Sequence, residues 1–161
     1  MFKQGVNSGY PYSSPTNILF MKVSDILQKK GAVIFSVTGS TTVLDALKIL
    51  GEKNIGALPV IDDGKLLGIL SERDYARKII LKGKTSQDTP VSEIMTENPF
   101  TIQPDDKIET CMSIMSDKHI RHLPVVKDGT VLGMISIGDV VTAIIQSQKE
   151  TIDHLKNYIS Q

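Results

Sequence analysis

Apolar residues recur at Val43, Leu44, Ala46, Leu47, Ile49 and Leu50, and again at Ile108, Met112, Ile114 and Met115. Both sets follow the spacing of a helix with one buried face. Ser40-Thr-Thr opens the first of these segments and Pro104-Asp-Asp the second, as helix starts do. Short apolar runs precede them, Ile34 to Val37 and Phe100 to Ile102, and predict a strand before each helix. Two more strands are predicted after the first helix, Leu58 to Ile61 and Leu66 to Leu70, around Asp62-Asp63-Gly64-Lys65. Asp-Gly between alternating apolar runs is a tight hairpin turn. The same arrangement recurs around Lys127-Asp128-Gly129. Further helices begin at Ser71, ending near Lys82-Gly83, and at Ser136, running through Val140 to Ile145 and on to Tyr158.

The pattern is a repeat. Ile55 to Asp74 aligns without gaps on Ile120 to Asp139 at an offset of 65, with ten of twenty positions identical. Val23-Ser-Asp-Ile26 matches Val91-Ser-Glu-Ile94 at an offset of 68, so the first copy carries three extra residues near Lys29 to Phe35. An order of β-α-β-β-α, twice, predicts an α+β fold of two three-stranded sheets with helices against them. One copy is too small to cover its own sheet, so the copies are expected to pack face to face about a pseudo-twofold axis, with clefts at the seam. The expected division is 1–20 as an N-terminal extension, 21–83 as the first copy and 84–90 as a polar linker. The second copy spans 91–146, and 147–161 extends its last helix.

Composition narrows the function by exclusion. The 161 residues are 40% hydrophobic, enough for one respectable core or two small fused ones. Eighteen basic residues balance eighteen acidic ones, so no net field draws nucleic acid or an anionic membrane, and any anion site is local. No apolar run approaches the roughly 20 residues of a membrane span. Residues 1–20 hold one Lys and no Arg, which fits neither a secretory signal nor an Arg-rich transit peptide, and Met21 is an alternative start. The lone Cys111 excludes an internal disulfide. A reducing, cytoplasmic setting is expected.

The repeated segments carry a resemblance. Leu58-Pro-Val-Ile-Asp-Asp-Gly-Lys-Leu-Leu-Gly-Ile-Leu-Ser-Glu-Arg-Asp74, Ile120-Arg-His-Leu-Pro-Val-Val126 and Gly133-Met-Ile-Ser-Ile-Gly-Asp-Val-Val141 resemble tandem cystathionine-β-synthase-type (CBS) domain pairs, or Bateman modules. The likeness covers Lys22 to Gln146, and is narrower toward stand-alone pairs of bacteria and plant organelles. It implies a regulatory module binding an adenosyl ligand between the copies, with AMP foremost and ATP or NAD as alternatives. It also assigns ribose contacts to Asp74 and Asp139.

Ser71-Glu-Arg-Asp74 and Ser136-Ile-Gly-Asp139 are equally helix capping boxes, and the two roles are compatible. A helix start with free N–H groups and a hydroxyl is a ready anion site. Gly56-Ala57 of the first copy becomes Arg121-His122 in the second, a guanidinium fork and a titratable ring suited to phosphate. Arg73, with Arg77 or Lys78, is expected opposite. The fuller site is thus expected to combine Asp139 and Ser136 with Arg121, His122 and Arg73, leaving a weaker one at Ser71 and Asp74. Val37, Met95 and Ile102 are candidate adenine liners, with core packing as their alternative. The histidines, His119, His122 and His154, lack zinc spacing, so no metal is expected. Cys111, Met112 and Met115 read as core.

No nucleophile triad, phosphate loop or metal carboxylate cluster marks an enzyme. The competing readings are a structural adaptor dimer without ligand and, further off, an enzyme acting on nucleotides. A homodimer is expected through the apolar faces of the helices after Ser71 and Ser136. The regulated partner is unnamed by the sequence, and the helix from Asp139 onward is the expected lever to it.

Overall fold

The computed structural model describes residues 17–31 and 33–161. The expected N-terminal extension, residues 1–20, falls almost wholly outside them. The main elements are α1 (Val23–Lys30), α2 (Val43–Lys53), β1 (Ala57–Asp62), β2 (Lys65–Ser71), α3 (Glu72–Tyr75), β3 (Thr96–Glu97), α4 (Ile108–Lys118), β4 (His122–Lys127), β5 (Thr130–Ser136) and α5 (Ile137–Ile159). Among the described residues no helix is long and apolar enough to cross a membrane.

The repeat is visible in the backbone. β1 and β2 close over Asp63 and Gly64, and β4 and β5 over Asp128 and Gly129, all four at positive φ. Two successive left-handed residues make the turn whose twist matches the flanking strands. Each hairpin also slips register once, between Val60 and Ile61 and between Val125 and Val126. α2 and α4 end on left-handed Asn54 and His119, again 65 residues apart. Thr42 caps α2, its hydroxyl accepting from the amide of Asp45 at 3.1 Å, one of the orphan donors of a helix start.

Three expectations are corrected. The leading strand of each copy is reduced to a single parallel bridge, Val37 to Val60 and Ile102 to Val125. Val37 donates to Pro59 and accepts from Ile61, after which the chain turns away through Thr38 to Thr41. The sheets are therefore β1-β2-β3 and β4-β5, with β3 an addition that no apolar alternation announced. Finally, the helix after Ser71 is α-helical only to Tyr75 and widens into a π-type turn over Ala76–Ile80 before Gly83 turns left-handed.

Two cores form, and each borrows from the other copy. The first holds Val43, Ala46, Leu50, Leu58, Val60, Leu70 and Ile79, together with Val91 and Ile94 from the start of the second copy. The second holds Ile108, Cys111, Met115, Leu123, Val125, Ile135 and Val140, together with Met21, Val23 and Ile26. Burying each such side chain is worth about 1.5–3 kcal/mol, so both borrowed segments are firmly held. The exchange is keyed by two glycines. A Cβ on Gly133 would stand 2.8 Å from Cδ2 of Leu27, and one on Gly68 would stand 2.9 Å from Sδ of Met95. Leu27 and Met95 are equivalent at the offset of 68, as the glycines are at 65.

Candidate functional site

The two copies meet through β2 and β5, which bring each strand start close to the other copy. The imidazole of His122 lies on Gly56, where an added Cβ would be 3.1 Å from both Cε1 and Nε2. Arg73, in the first turn of α3, donates from Nη1 to the carbonyl of His119 at 2.8 Å. The start of α3 is thereby set over the corner where α4 runs into β4.

That corner opens into a cleft of about 980 Å³. Its walls come from both copies: Gly56, Ser71, Arg73, Asp74 and Arg77 from the first, and Phe100, Lys118, Ile120, Arg121 and His122 from the second. Five cations, Arg73, Arg77, Lys78, Lys118 and Arg121, face three carboxylates, Glu72, Asp74 and Glu97. Low-dielectric walls lined by an excess of one sign concentrate its field, so a molecule of zero net charge presents a local excess of positive charge here. The guanidiniums of Arg77 and Arg121 make no hydrogen bond or ion pair among the described residues. Phe100 is half-exposed at the wall, with Nζ of Lys118 5.1 Å from its ring centroid.

Ser71 and Asp74 form a complete capping box. Oδ2 of Asp74 accepts from the amide and hydroxyl of Ser71, at 3.0 and 2.9 Å, and the Ser71 hydroxyl accepts from the amide of Asp74 at 3.2 Å. Oδ1 accepts from Thr96 at 3.1 Å and pairs with Nζ of Lys78 at 3.0 Å. Lys78 also donates to the carbonyl of Ile94 at 2.8 Å. A hydroxyl arriving at Oδ1 could therefore displace the ammonium without stranding it.

Ser136 and Asp139 build the same box on α5, with 2.8 Å from the Ser136 amide to Oδ2 and 3.1 Å from the Asp139 amide to the hydroxyl. Neither residue lines the cleft. Instead Oδ2 of Asp139 takes Nζ of Lys30 at 2.7 Å, and that ammonium also donates to the carbonyl of Met134 at 2.9 Å. Arg121, His122 and Arg73 thus share the cleft with Ser71 and Asp74 and not, as linear order leads one to expect, with Asp139, although the Asp139 charge still reaches the His122 ring. Around a pseudo-twofold axis the strand start of one copy faces the helix start of the other, a crossing that linear order does not display.

His122 titrates below the usual histidine range, chiefly because burial disfavours the charged ring. Asp139 opposes this, while Lys30, Arg121 and Arg73 add to it. The ring is therefore neutral at pH 7 and presents one N–H. Burial pushes the Cys111 thiol up to about 11, with Asp106 contributing, which makes it a packing residue. Among the described residues no group of three or more His, Cys, Asp or Glu could hold a metal ion.

The suggested adenine liners lie elsewhere. Val37 and Ile102 are buried in the two cores and bridge strands, and Met95 packs over Gly68. The apolar surface of the cleft comes instead from Ile69, Pro99, Phe100 and Ile120. In the sequence Phe100 reads only as a strand start, and Pro99 carries no signal. Their place in the wall follows from the strand shrinking to one bridge at Ile102.

A family model for the CBS domain matches residues 23–81 and again residues 91–146. The chain is 42% identical over 149 residues to the CBS domain-containing protein CBSX3, mitochondrial, of Arabidopsis thaliana, spanning 85% of this chain and 71% of that protein. Among solved structures it is similar to the CBS domain protein NE2398, with TM-score 0.75, 41% identity, and 78% and 98% of the two chains covered. The structure of CBSX2 in complex with AMP is similar at TM-score 0.66 and 29% identity, over 79% of this chain and 98% of that one. The chain belongs to the CBS domain family and carries two CBS domains in tandem.

Proposed function

We propose that this protein is a regulatory module that binds one adenine nucleotide in the basic cleft, with AMP its foremost ligand, ATP and NAD its alternatives, and no catalysis of its own. The supporting observation is the convergence of Arg73 and Arg121, from opposite copies, on a cleft that also holds Asp74. In this reading Asp74 receives the ribose hydroxyls at Oδ1 as Lys78 moves fully onto the Ile94 carbonyl. Arg121, Arg73 and the N–H of His122 take the phosphate, with Ser71 at the helix start. Phe100, Pro99 and Ile120 flank the base, which needs an apolar slot rather than charge. The AMP complex of CBSX2 supports the ligand class.

A nucleotide that bridges the two copies favours the arrangement in which they close on it, and only such differential affinity can move an equilibrium. α5 leaves the seam at Asp139 and runs to Ile159, which suits it to carry that change to a partner protein. Ile137, Val141, Ile145, Ile152, Leu155 and Ile159 form an exposed stripe along it. A second copy packed on this stripe and on Ile80 and Leu81 is the homodimer we propose. The single buried Cys111 suits a reducing compartment such as the cytoplasm.

Calorimetric titration of ligand-stripped protein with AMP, ATP and NAD tests the reading. Saturable binding at one site per chain by at least one of them is expected. Failure of all three to bind would leave the adaptor reading in its place.

A further inference from the structure

We propose that Lys30 keeps the second CBS carboxylate, Asp139, closed, so that the chain offers one open adenosyl site and holds another in reserve. The inference rests on the reading of the first cleft as a nucleotide site and extends it to its twin.

The two carboxylates have equivalent caps and different company. Asp74 is paired by Lys78 from its own helix, one turn on. The position equivalent to Lys78 in the second copy is Ala143, so α5 supplies no such partner. The cation comes from 109 residues away, at the last position of α1. The position equivalent to Lys30 in the first cleft, at the offset of 68, is Asn98, a neutral residue lining the open space. Each carboxylate thus carries an ammonium, but Asp74 receives its own from one turn along the same helix and faces the uncharged Asn98, whereas Asp139 receives an ammonium delivered by α1 from the other copy.

The lysine is delivered by a docked element. Leu27 fills the notch over Gly133 one turn before it. The amides of Val23 and Ser24 donate to the carbonyls of Asp106 and Pro104, both at 2.9 Å. Val23 and Ile26 are buried in the second core. From this helix the ammonium spans Oδ2 of Asp139 and the carbonyl of Met134, occupying the edge of β5 beside the helix start. His122, one strand over, adds no full charge there because its ring is neutral. The pair is partly exposed, 40% at Lys30 and 22% at Asp139, so it holds by competition rather than as a permanent bond. The second cleft also lacks the phosphate cations, with Gly56, Gly138 and Thr142 at the positions equivalent to Arg121, Arg73 and Arg77. Its reserve ligand is therefore an adenosyl group without dependence on phosphate, for which adenosine is the fair probe.

The test is calorimetric titration of full-length protein, Lys30→Ala, and Lys30→Ala/Asp139→Ala, each with AMP and with adenosine. The wild type is expected to take one AMP per chain and no second adenosine. Lys30→Ala should keep its AMP affinity within about threefold and gain a second adenosine site at least tenfold tighter than any in the wild type, lost again in the double variant. Two sites in the wild type, or one in Lys30→Ala with AMP still bound, would overturn the gate and leave the first cleft standing. Silence of every variant toward both ligands would overturn both.

Discussion

The ring of His122 rests on the backbone of Gly56, a contact that crosses from one copy to the other. A methyl group at Gly56 would sit 3.1 Å from two ring atoms, so Gly56→Ala makes the imidazole give by a few tenths of an ångström. Overpacking of this kind costs about 1–3 kcal/mol. Nucleotide affinity is expected to fall several-fold together with the thermal midpoint, while Gly51→Ala, inside α2 with open space around it, leaves the affinity unchanged and raises the midpoint slightly, as Ala replaces Gly in a helix. Scanning calorimetry and AMP titration read the two effects.

Arg121 has its guanidinium free for an incoming anion. A charge-assisted hydrogen bond to phosphate is worth about 1.5–3 kcal/mol, so Arg121→Ala should weaken AMP by roughly 10- to 100-fold. Lys53→Ala, at the equivalent of Lys118 in the other copy, should leave AMP affinity intact. Adenosine affinity in Arg121→Ala should hardly change, which separates loss of a phosphate contact from loss of the fold.

The exchanged segments respond differently to their two notches. A Cβ on Gly133 meets the tip of the Leu27 side chain, which can turn, whereas one on Gly68 meets the backbone carbonyl of Thr96 at 2.6 Å. Gly68→Ala is therefore expected to lower the thermal midpoint more than Gly133→Ala. Adding Leu27→Ala to Gly133→Ala should cost less than the sum of the two single changes, and a strictly additive result would contradict the contact.

Acid should destabilise the protein through His122. Its folded value lies below its unfolded one, so below the ordinary histidine range the unfolded chain binds the extra proton. Stability present near pH 7.5 is lost as pH falls through about 6.5 toward the folded value, with a slope of at most about 1.4 kcal/mol per pH unit for one such group. Urea titrations between pH 7.5 and 5.5 should show this slope, and His122→Gln should flatten it. Bound AMP should lessen it as well, because a phosphate favours the charged ring.

Most of the frame was legible because local chemistry specified it. Asp63-Gly64 and Asp128-Gly129 announced their turns, the apolar spacing at Val43–Leu50 announced α2, and the match of Ser71–Asp74 to Ser136–Asp139 announced equal caps. The charge difference between Gly56-Ala57 and Arg121-His122 was also legible. The carboxylate it serves was not, because that depends on which helix start crosses which strand start, a relation set by β2 packing against β5. The same holds for Lys30. Nothing in the run Gln28-Lys-Lys-Gly31 distinguishes its second lysine until α1 docks on the other copy. Strand β3 escaped notice because Thr96 and Glu97 are exposed and carry no alternation.

The most direct measurement compares AMP binding to Asp74→Asn and Asp139→Asn, substitutions that keep a capping oxygen at each helix start. The geometry of the cleft predicts a loss of at least tenfold in Asp74→Asn, which lines it, and a change within about twofold in Asp139→Asn, which does not. The reverse result, with Asp139→Asn losing the nucleotide and Asp74→Asn retaining it, would contradict the account.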